Sequence, residues 1–250
     1  MFTVEEKTCT SRKDSAREIE RPPVAPIMTL KIRYLNSGVR SRDLKTLCAH
    51  PDSAFSETAV MVKDGTRNTL HQVTIDIGDL VIKRYNTKNA WHLARRNFQT
   101  SRALNCWHMG TLFRSRGIDT PEPMAVVEDQ RGPFSGRSWY ICRYVGSTLL
   151  PDYLDSADWE ERFELIEIRV CELFQALQSH RFSHGDLKGS NLLVHEGRLT
   201  VVDLDAAKQH RSPLLHRLAF DNDKARFLKN WNGAPEIQRR FSTLLSEKGL

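Results

Sequence analysis

The sequence predicts an α+β protein in two lobes, a β-rich first half followed by a compact, mainly helical second half. Three observations predict it. Short β-rich runs broken by turn residues occupy 58–85 and return at 138–145. A single long run at 159–180 carries one apolar stripe at helical spacing. The 250 residues, 40% of them hydrophobic, suffice for two lobes of about 100 residues each. The expected division is an N-terminal extension over 1–50, partly loose, a first lobe over 51–145 and a second over 146–250.

In chain order, residues 1–50 mix Arg, Lys, Glu, Pro and Ser around RPPVAP and read as a tail. TAVMVK, LHQVTID and LVIKRYN then form three runs of a β-meander, with DGTRN and IGD as turns. Trp91, Leu93, Phe98, Leu104, Trp107, Leu112 and Phe113 recur at roughly helical spacing, so 88–116 is expected to be a helix stopped by Gly117. SWYICRYV adds a strand after DQRGPFSGR. In WEERFELIEIRVCELFQALQSH, Phe163, Ile166, Val170, Leu173, Phe174 and Leu177 lie on one stripe. NLLVHEGRLTVVDLD reads as two strands turning through HEGR, with Gly197 in the turn. HRLAFDNDKARFLKNW near the end is a basic amphipathic helix, suited to supporting the lobe or to facing an anionic acceptor.

Composition narrows the functional classes. Apolar runs reach only four or five residues, against about 18 for a spanning helix, so no transmembrane segment is expected. The start, MFTVEEKTCTSRKD, lacks the basic and apolar regions of a secretory signal, which points to the cytoplasm. Five widely spaced cysteines, none in a CxxC pair, fit reduced thiols rather than a disulfide or zinc framework. The net charge of +6 is concentrated: between Asp79 and Asp119 there is no acid, whereas Lys83, Arg84, Lys88, Arg95, Arg96, Arg102, Arg114 and Arg116 all fall there. Such a surface attracts anions, although a solvated basic helix face has the same composition.

The densest chemistry lies in His184-Gly185-Asp186-Leu187-Lys188-Gly189-Ser190-Asn191. Asp186 precedes Asn191 by five positions, the offset of the protein-kinase catalytic loop H-R-D-L-x-x-x-N with Gly for Arg. Phosphoryl transfer needs one carboxylate at the attacking hydroxyl and an amide oxygen at the metal. Asp186 is therefore the candidate for orienting the acceptor, Lys188 for balancing phosphoryl charge, and Asn191 for holding Mg²⁺. Asp203, in Asp203-Leu204-Asp205 after two valines, stands where the metal-binding Asp of D-F-G belongs. Lys83 in Val81-Ile82-Lys83 matches the lysine that pairs with the α- and β-phosphates of ATP. Singly each has a bland reading, a capping Asp or a strand end; their shared order is what argues for a kinase. The phosphate-covering loop is the thinnest match: Gly65, Thr66 and Arg67 could meet a phosphate, and an ordinary hairpin turn fits them equally.

From about Glu57 to about Trp231 the chain resembles the bacterial lipopolysaccharide core kinases, the Kdo/WaaP family, through VIKRYN, CWHMGTLFRSRGIDTPEP, HGDLKGSNLLV and VVDLDAAK. The GIDTPEP turn and the Asp-Leu-Asp variant are the most telling. The resemblance implies a protein-kinase-like fold, ATP and Mg²⁺ as cofactors, and transfer of a phosphoryl group to a heptose or Kdo hydroxyl of the inner core. It also implies an anionic glycan as partner rather than nucleic acid, and peripheral contact with the cytoplasmic face of the inner membrane. The small space after Asp203, without an A-P-E signature, also favours a glycan over a polypeptide acceptor. One departure stands out: where the family has a helix Glu before Trp to pair with the lysine, this chain has Cys106 before Trp107. Lys83 is then held by Asp203, by ATP itself, or not well at all. Cys106 keeps open a non-catalytic, nucleotide-binding regulatory role. Two other enzymes also stay open: a small kinase of the tRNA-modification type, whose loop also begins HGDL, and an aminoglycoside-type phosphotransferase.

Overall fold

The computed structural model describes residues 29–55, 60–63, 68–85, 100–131 and 134–250. Residues 64–67, with Gly65, Thr66 and Arg67, and the stretch 86–99, with Lys88, Arg95 and Arg96, lie outside the described residues.

The first lobe is an antiparallel sheet. Its strands are β1 (Thr29–Leu35), β2 (Val60–Lys63), β3 (Asn68–Ile75), β4 (Gly78–Tyr85), β5 (Pro123–Arg131) and β6 (Phe134–Arg143), in the spatial order β1-β5-β6-β4-β3-β2. The meander expected from 58–85 is β2-β3-β4, and Gly78, at φ 99°, closes its second turn. Period-2 alternation divides the sheet into two buried faces. Leu80, Ile82, Val127, Trp139 and Ile141 point to one face, where Leu44, Leu47 and Cys48 of α1 (Arg42–Ala49) cover them. Tyr85, Val126, Tyr140 and Cys142 point to the other, against Ala103 and Cys106 of α2 (Arg102–Ser115).

Residues 29–50, grouped by composition with the N-terminal tail, thus supply an edge strand and a covering helix. A sheet with two apolar faces needs a cover on each. The short α1 provides one, with Ser41 as its N-cap accepting from the Leu44 amide at 2.9 Å.

Helix α2 begins at Ser101, whose Oγ accepts from the Leu104 amide at 3.1 Å. It covers the C-terminal half of the helix expected over 88–116. Its two ends serve different cores: Ala103 and Cys106 join the sheet, whereas Met109 and Phe113 enter the main core of the second lobe. After β6, β7 (Thr148–Leu149) leads into α3 (Leu150–Leu154) and the long α4 (Trp159–Ser179). The six apolar residues of the α4 stripe are all buried, as their spacing predicts. The chain then forms β8 (Phe182–Ser183), the hairpin of β9 (Leu192–His195) and β10 (Arg198–Val201), β11 (Lys208–Gln209), α5 (Pro213–Lys229) and α6 (Pro235–Glu247). Phe163, Phe174, Phe227 and Phe241 from α4, α5 and α6 meet in tilted and edge-to-face pairs with ring centroids 4.6–5.4 Å apart. Full burial of one such ring is worth roughly 1.5–3 kcal/mol. No helix among the described residues is long and apolar enough to cross a membrane.

Candidate active site

The loop after β8 is fixed from beneath by a residue that the sequence motif does not contain. Asp223 of α5, 2% exposed, accepts from the His184 amide at 2.6 Å and from the Gly185 amide at 2.9 Å. His184 is fully buried, and its Nε2 donates to the Val202 carbonyl at 2.9 Å. Its Nδ1 accepts from the Asp186 amide at 3.3 Å. The neutral imidazole thus ties the loop to the strand that ends at Asp203. Gly185 adopts φ 81°, and a Cβ there would stand 2.9 Å from the Ala206 carbonyl oxygen. The glycine that replaces the arginine of the kinase motif is therefore required both by the backbone turn and by contact with the Asp-Leu-Asp segment.

The loop brings Asp186 and Asn191 together. The Asn191 side-chain amide donates to the Asp186 carbonyl at 2.9 Å and lies 3.4 Å from its Oδ2. The Val202 amide donates to the Asn191 carbonyl at 3.0 Å, which sets the second strand of the hairpin beside the loop. Lys188 Nζ lies 3.4 Å from Asp186 Oδ2, and Arg226 of α5 donates to Asp186 Oδ1 at 2.6 Å.

Asp203 adopts a left-handed backbone, φ 66° and ψ 49°, uncommon for a residue other than glycine and typical of places where a site holds strain. Its carboxylate forms an ion pair with Lys83 of β4, 120 residues away in sequence. Burial would push the Asp203 pKa up, but Lys83 and its hydrogen bond outweigh burial and hold it below the usual carboxylate range. Lys83, 7% exposed, also sits 5.0 Å above the Tyr85 ring.

Cys106 occupies the face of α2 nearest this pair. Its Sγ lies 3.2 Å from the Tyr85 hydroxyl, and burial pushes its thiol pKa up to about 12. A neutral thiol cannot replace a carboxylate, so Lys83 pairs with Asp203, as the absence of acids from this helix anticipates. The tie between the helix and the metal-binding segment runs with opposite polarity. Arg102 of α2 pairs with Asp205 while stacking 4.8 Å over Tyr85. Asn105 donates to the carbonyls of Leu204, Asp205 and Ala207 at 3.0–3.2 Å. Asp205 is raised above the usual range, by burial and by the neighbouring Asp203 charge. Arg102, Asn105, Tyr85, Asp223 and Arg226 all escape a motif reading. Asp205 was legible as the last residue of Asp-Leu-Asp, whereas its partner Arg102 stood out only as one of the cations of the acid-free run.

The GIDTPEP turn couples the lobes. Val201 donates its amide to the Asp119 carbonyl at 2.8 Å, and Thr120 Oγ1 donates to the Val201 carbonyl at 2.7 Å.

A cavity of about 460 Å³ lies between the lobes. Leu70, Val81, Leu149 and Leu193 give it apolar walls, Lys83, Lys188 and Asp203 give it charge, and Asn191 adds a neutral amide. A planar base with a polyphosphate tail suits such a lining. Asp203 and the Asn191 side-chain carbonyl are hard oxygen donors, as Mg²⁺ requires, and that carbonyl accepts no hydrogen bond from the described residues. The described residues hold no cluster of three His, Cys, Asp or Glu side chains that would suit a softer ion. A separate cavity of about 300 Å³, beside Ile118, Arg169 and Leu199, contains none of these groups.

A family model described as "Lipopolysaccharide kinase (Kdo/WaaP) family" matches residues 54–231. A solved structure of WaaP in complex with acyl carrier protein superposes with a TM-score of 0.57 at 16% identity, over 88% of this chain and 89% of that one. At that identity the likeness is one of fold, the two-lobed protein-kinase-like fold. No curated protein matches the chain.

Proposed function

The chain belongs to the lipopolysaccharide kinase (Kdo/WaaP) family, and from that membership we propose that it moves the γ-phosphoryl group of ATP to a hydroxyl of a heptose or Kdo sugar in the lipopolysaccharide inner core. The observation that carries this reading is the meeting of Lys83, Asp186, Asn191 and Asp203 across the lobes, although β4 and the loop stand about a hundred residues apart.

Each group has a distinct task. Lys83 holds the α- and β-phosphates, exchanging part of its pairing with Asp203 for them. Asn191 and Asp203 would hold Mg²⁺, which would supply charge neutralisation to the phosphates when bound. Asp186 accepts the proton of the acceptor hydroxyl as that oxygen bonds to the γ-phosphorus. The bond from the γ-phosphorus to the bridging oxygen breaks, and ADP leaves with the electron pair. Lys188 offsets negative charge on the phosphoryl oxygens in flight.

A lipid-linked acceptor calls for contact with the inner membrane, and α5 offers a surface for it. Leu214, Leu215 and Leu218 are 55–68% exposed, beside the exposed Arg211 and Arg217. Apolar side chains flanked by arginines suit the cytoplasmic surface of an anionic bilayer.

The reading is tested with γ-labelled ATP, Mg²⁺ and dephosphorylated lipopolysaccharide core. Label on a core sugar, lost in Asp186→Ala, is expected. Label reaching no core sugar while Mg-ATP binds tightly would contradict the acceptor assignment.

A further inference from the structure

A second cleft, of about 790 Å³, shares no lining residue with the nucleotide cavity and reaches Asp186 through Arg226. Lys208 of β11 and Arg226 and Lys229 of α5 bring three cations to it. The acid in its lining is Asp223, whose oxygens are already committed to the His184 and Gly185 amides. His210 adds a neutral group: its Nε2 lies 2.7 Å from Ser183 Oγ, and burial together with the His216 and Lys208 charges lowers its pKa. Neither Lys208 nor Lys229 has a side-chain partner among the described residues. The floor is made of small residues, Gly185, Ala206, Ala219 and Ala225, which leave room for a ring-sized group.

The position of Arg226 calls for an explanation. Its guanidinium sits on the carboxylate that an acceptor hydroxyl must reach, and there it occupies one of that carboxylate's oxygens. The Arg226 side chain is 52% exposed and that of Asp186 33%, so the pair is weak and readily exchanged. Guanidinium forks bind carboxylate and phosphate in two parallel hydrogen bonds.

We propose that this cleft is the acceptor's anion subsite, in which Arg226, with Lys208 and Lys229, takes a carboxylate or phosphate carried by the acceptor sugar and thereby frees Asp186 for the hydroxyl. The inference rests on the reading of Asp186 as the acceptor-side carboxylate. An acceptor with no anion leaves Arg226 on Asp186, so of the two sugars the arrangement favours Kdo, which carries a carboxylate, over a heptose that bears no phosphate, and it delays reaction until the anion is seated.

The test is an NMR titration of the full chain, loaded with Mg-ADP, using Kdo monosaccharide, inorganic phosphate and galactose as probes. At least one anion is expected to bind more tightly than galactose; Kdo alone marks a carboxylate site and phosphate alone a phosphate site. Arg226→Gln should weaken that binding at least about tenfold, given the usual worth of a hydrogen bond to a charged group. Arg226→Lys should recover part of it, Lys208→Gln/Lys229→Gln should weaken it as well, and the affinity for Mg-ADP should stay unchanged. Anions that bind no better than galactose, or that bind Arg226→Gln as they bind the wild type, would overturn the subsite. If Asp186→Asn abolishes transfer while Arg226→Gln keeps the wild-type acceptor KM, the subsite falls and the kinase reading stands. Full transfer by Asp186→Asn overturns both.

Discussion

Cys106 sits in the place of the family's paired glutamate, yet the lysine it faces is not left alone, because Asp203 takes it. The thiol is buried and neutral, so it holds no charge in the site. Cys106→Ala is expected to keep Mg-ATP affinity and transfer within a few-fold of wild type, its cost limited to roughly 1 kcal/mol of lost packing. The same burial predicts that Cys106 resists alkylation at pH 8 in the native protein and reacts on unfolding, which mass spectrometry reads directly. The acid side of stability follows from Lys83. Asp203 has a folded pKa below its unfolded one, so its contribution is present above about pH 4 and is lost as pH falls through the lower folded value. Lys83 lowers the pKa of Asp205 too, although burial keeps that group raised. Lys83→Met removes the charge that holds Asp203 low, so the variant should be less stable near neutral pH and should lose less stability than wild type as the pH falls below about 4, which acid titration of the unfolding free energy reads directly. At this scale the motif residues were legible because kinase chemistry fixes their offsets. Arg226 and Asp223 were not, since each meets the loop from about 40 residues downstream on a helix whose composition suggested only a basic face.

Among the elements, α2 and α5 carry the site, each by a different device. Through Arg102 and Asn105, α2 grips the Asp-Leu-Asp segment, which places Asp203 without touching nucleotide. Arg102→Gln with Asn105→Ala should weaken metal-nucleotide binding by about 10–100-fold, the usual cost of losing groups that orient metal ligands. The melting temperature should fall as well, because Asp205, 8% exposed, and the three carbonyls lose their partners. Under the catalytic loop, α5 places a buried carboxylate, and Asp223→Ala should cost about 1.5–3 kcal/mol by leaving two buried amides without a charged acceptor. A drop in melting temperature, together with lost transfer, checks it. The apolar stripe of α4 and the β2-β3-β4 meander were legible from periodicity alone. Helix α1 was not: eight residues with three buried positions carry too little pattern to stand out beside a charged tail.

Across the whole molecule, two cores meet along α2 and the GIDTPEP turn, and the cavity between them gathers residues from both. The overall arrangement was readable from the order of β-rich and helical halves. Of the contacts that make it work, Lys83–Asp203 was among the options left by a helix without acids, whereas Arg102–Asp205 was not legible, because it joins positions more than 100 residues apart with no motif to link them. On α5, Leu215 stands about three turns before Arg226 at nearly the same angle, whereas Leu214 and Leu218 lie further round the helix, so the proposed bilayer and acceptor surfaces adjoin rather than coincide. Changing Leu214, Leu215 and Leu218 together to Asn should reduce sedimentation with anionic vesicles at least about tenfold, since each buried leucine is worth roughly 1.5–3 kcal/mol. Mg-ATP binding should not change. The most direct measurement is single-turnover transfer from Mg-ATP to dephosphorylated core by wild type and Asp186→Asn, with Mg-ADP affinity measured on both. A fall of about 10²–10⁴-fold in the transfer rate at unchanged nucleotide affinity is the predicted result. A rate left intact, or lost only in step with nucleotide binding, would contradict Asp186 as the carboxylate that receives the acceptor.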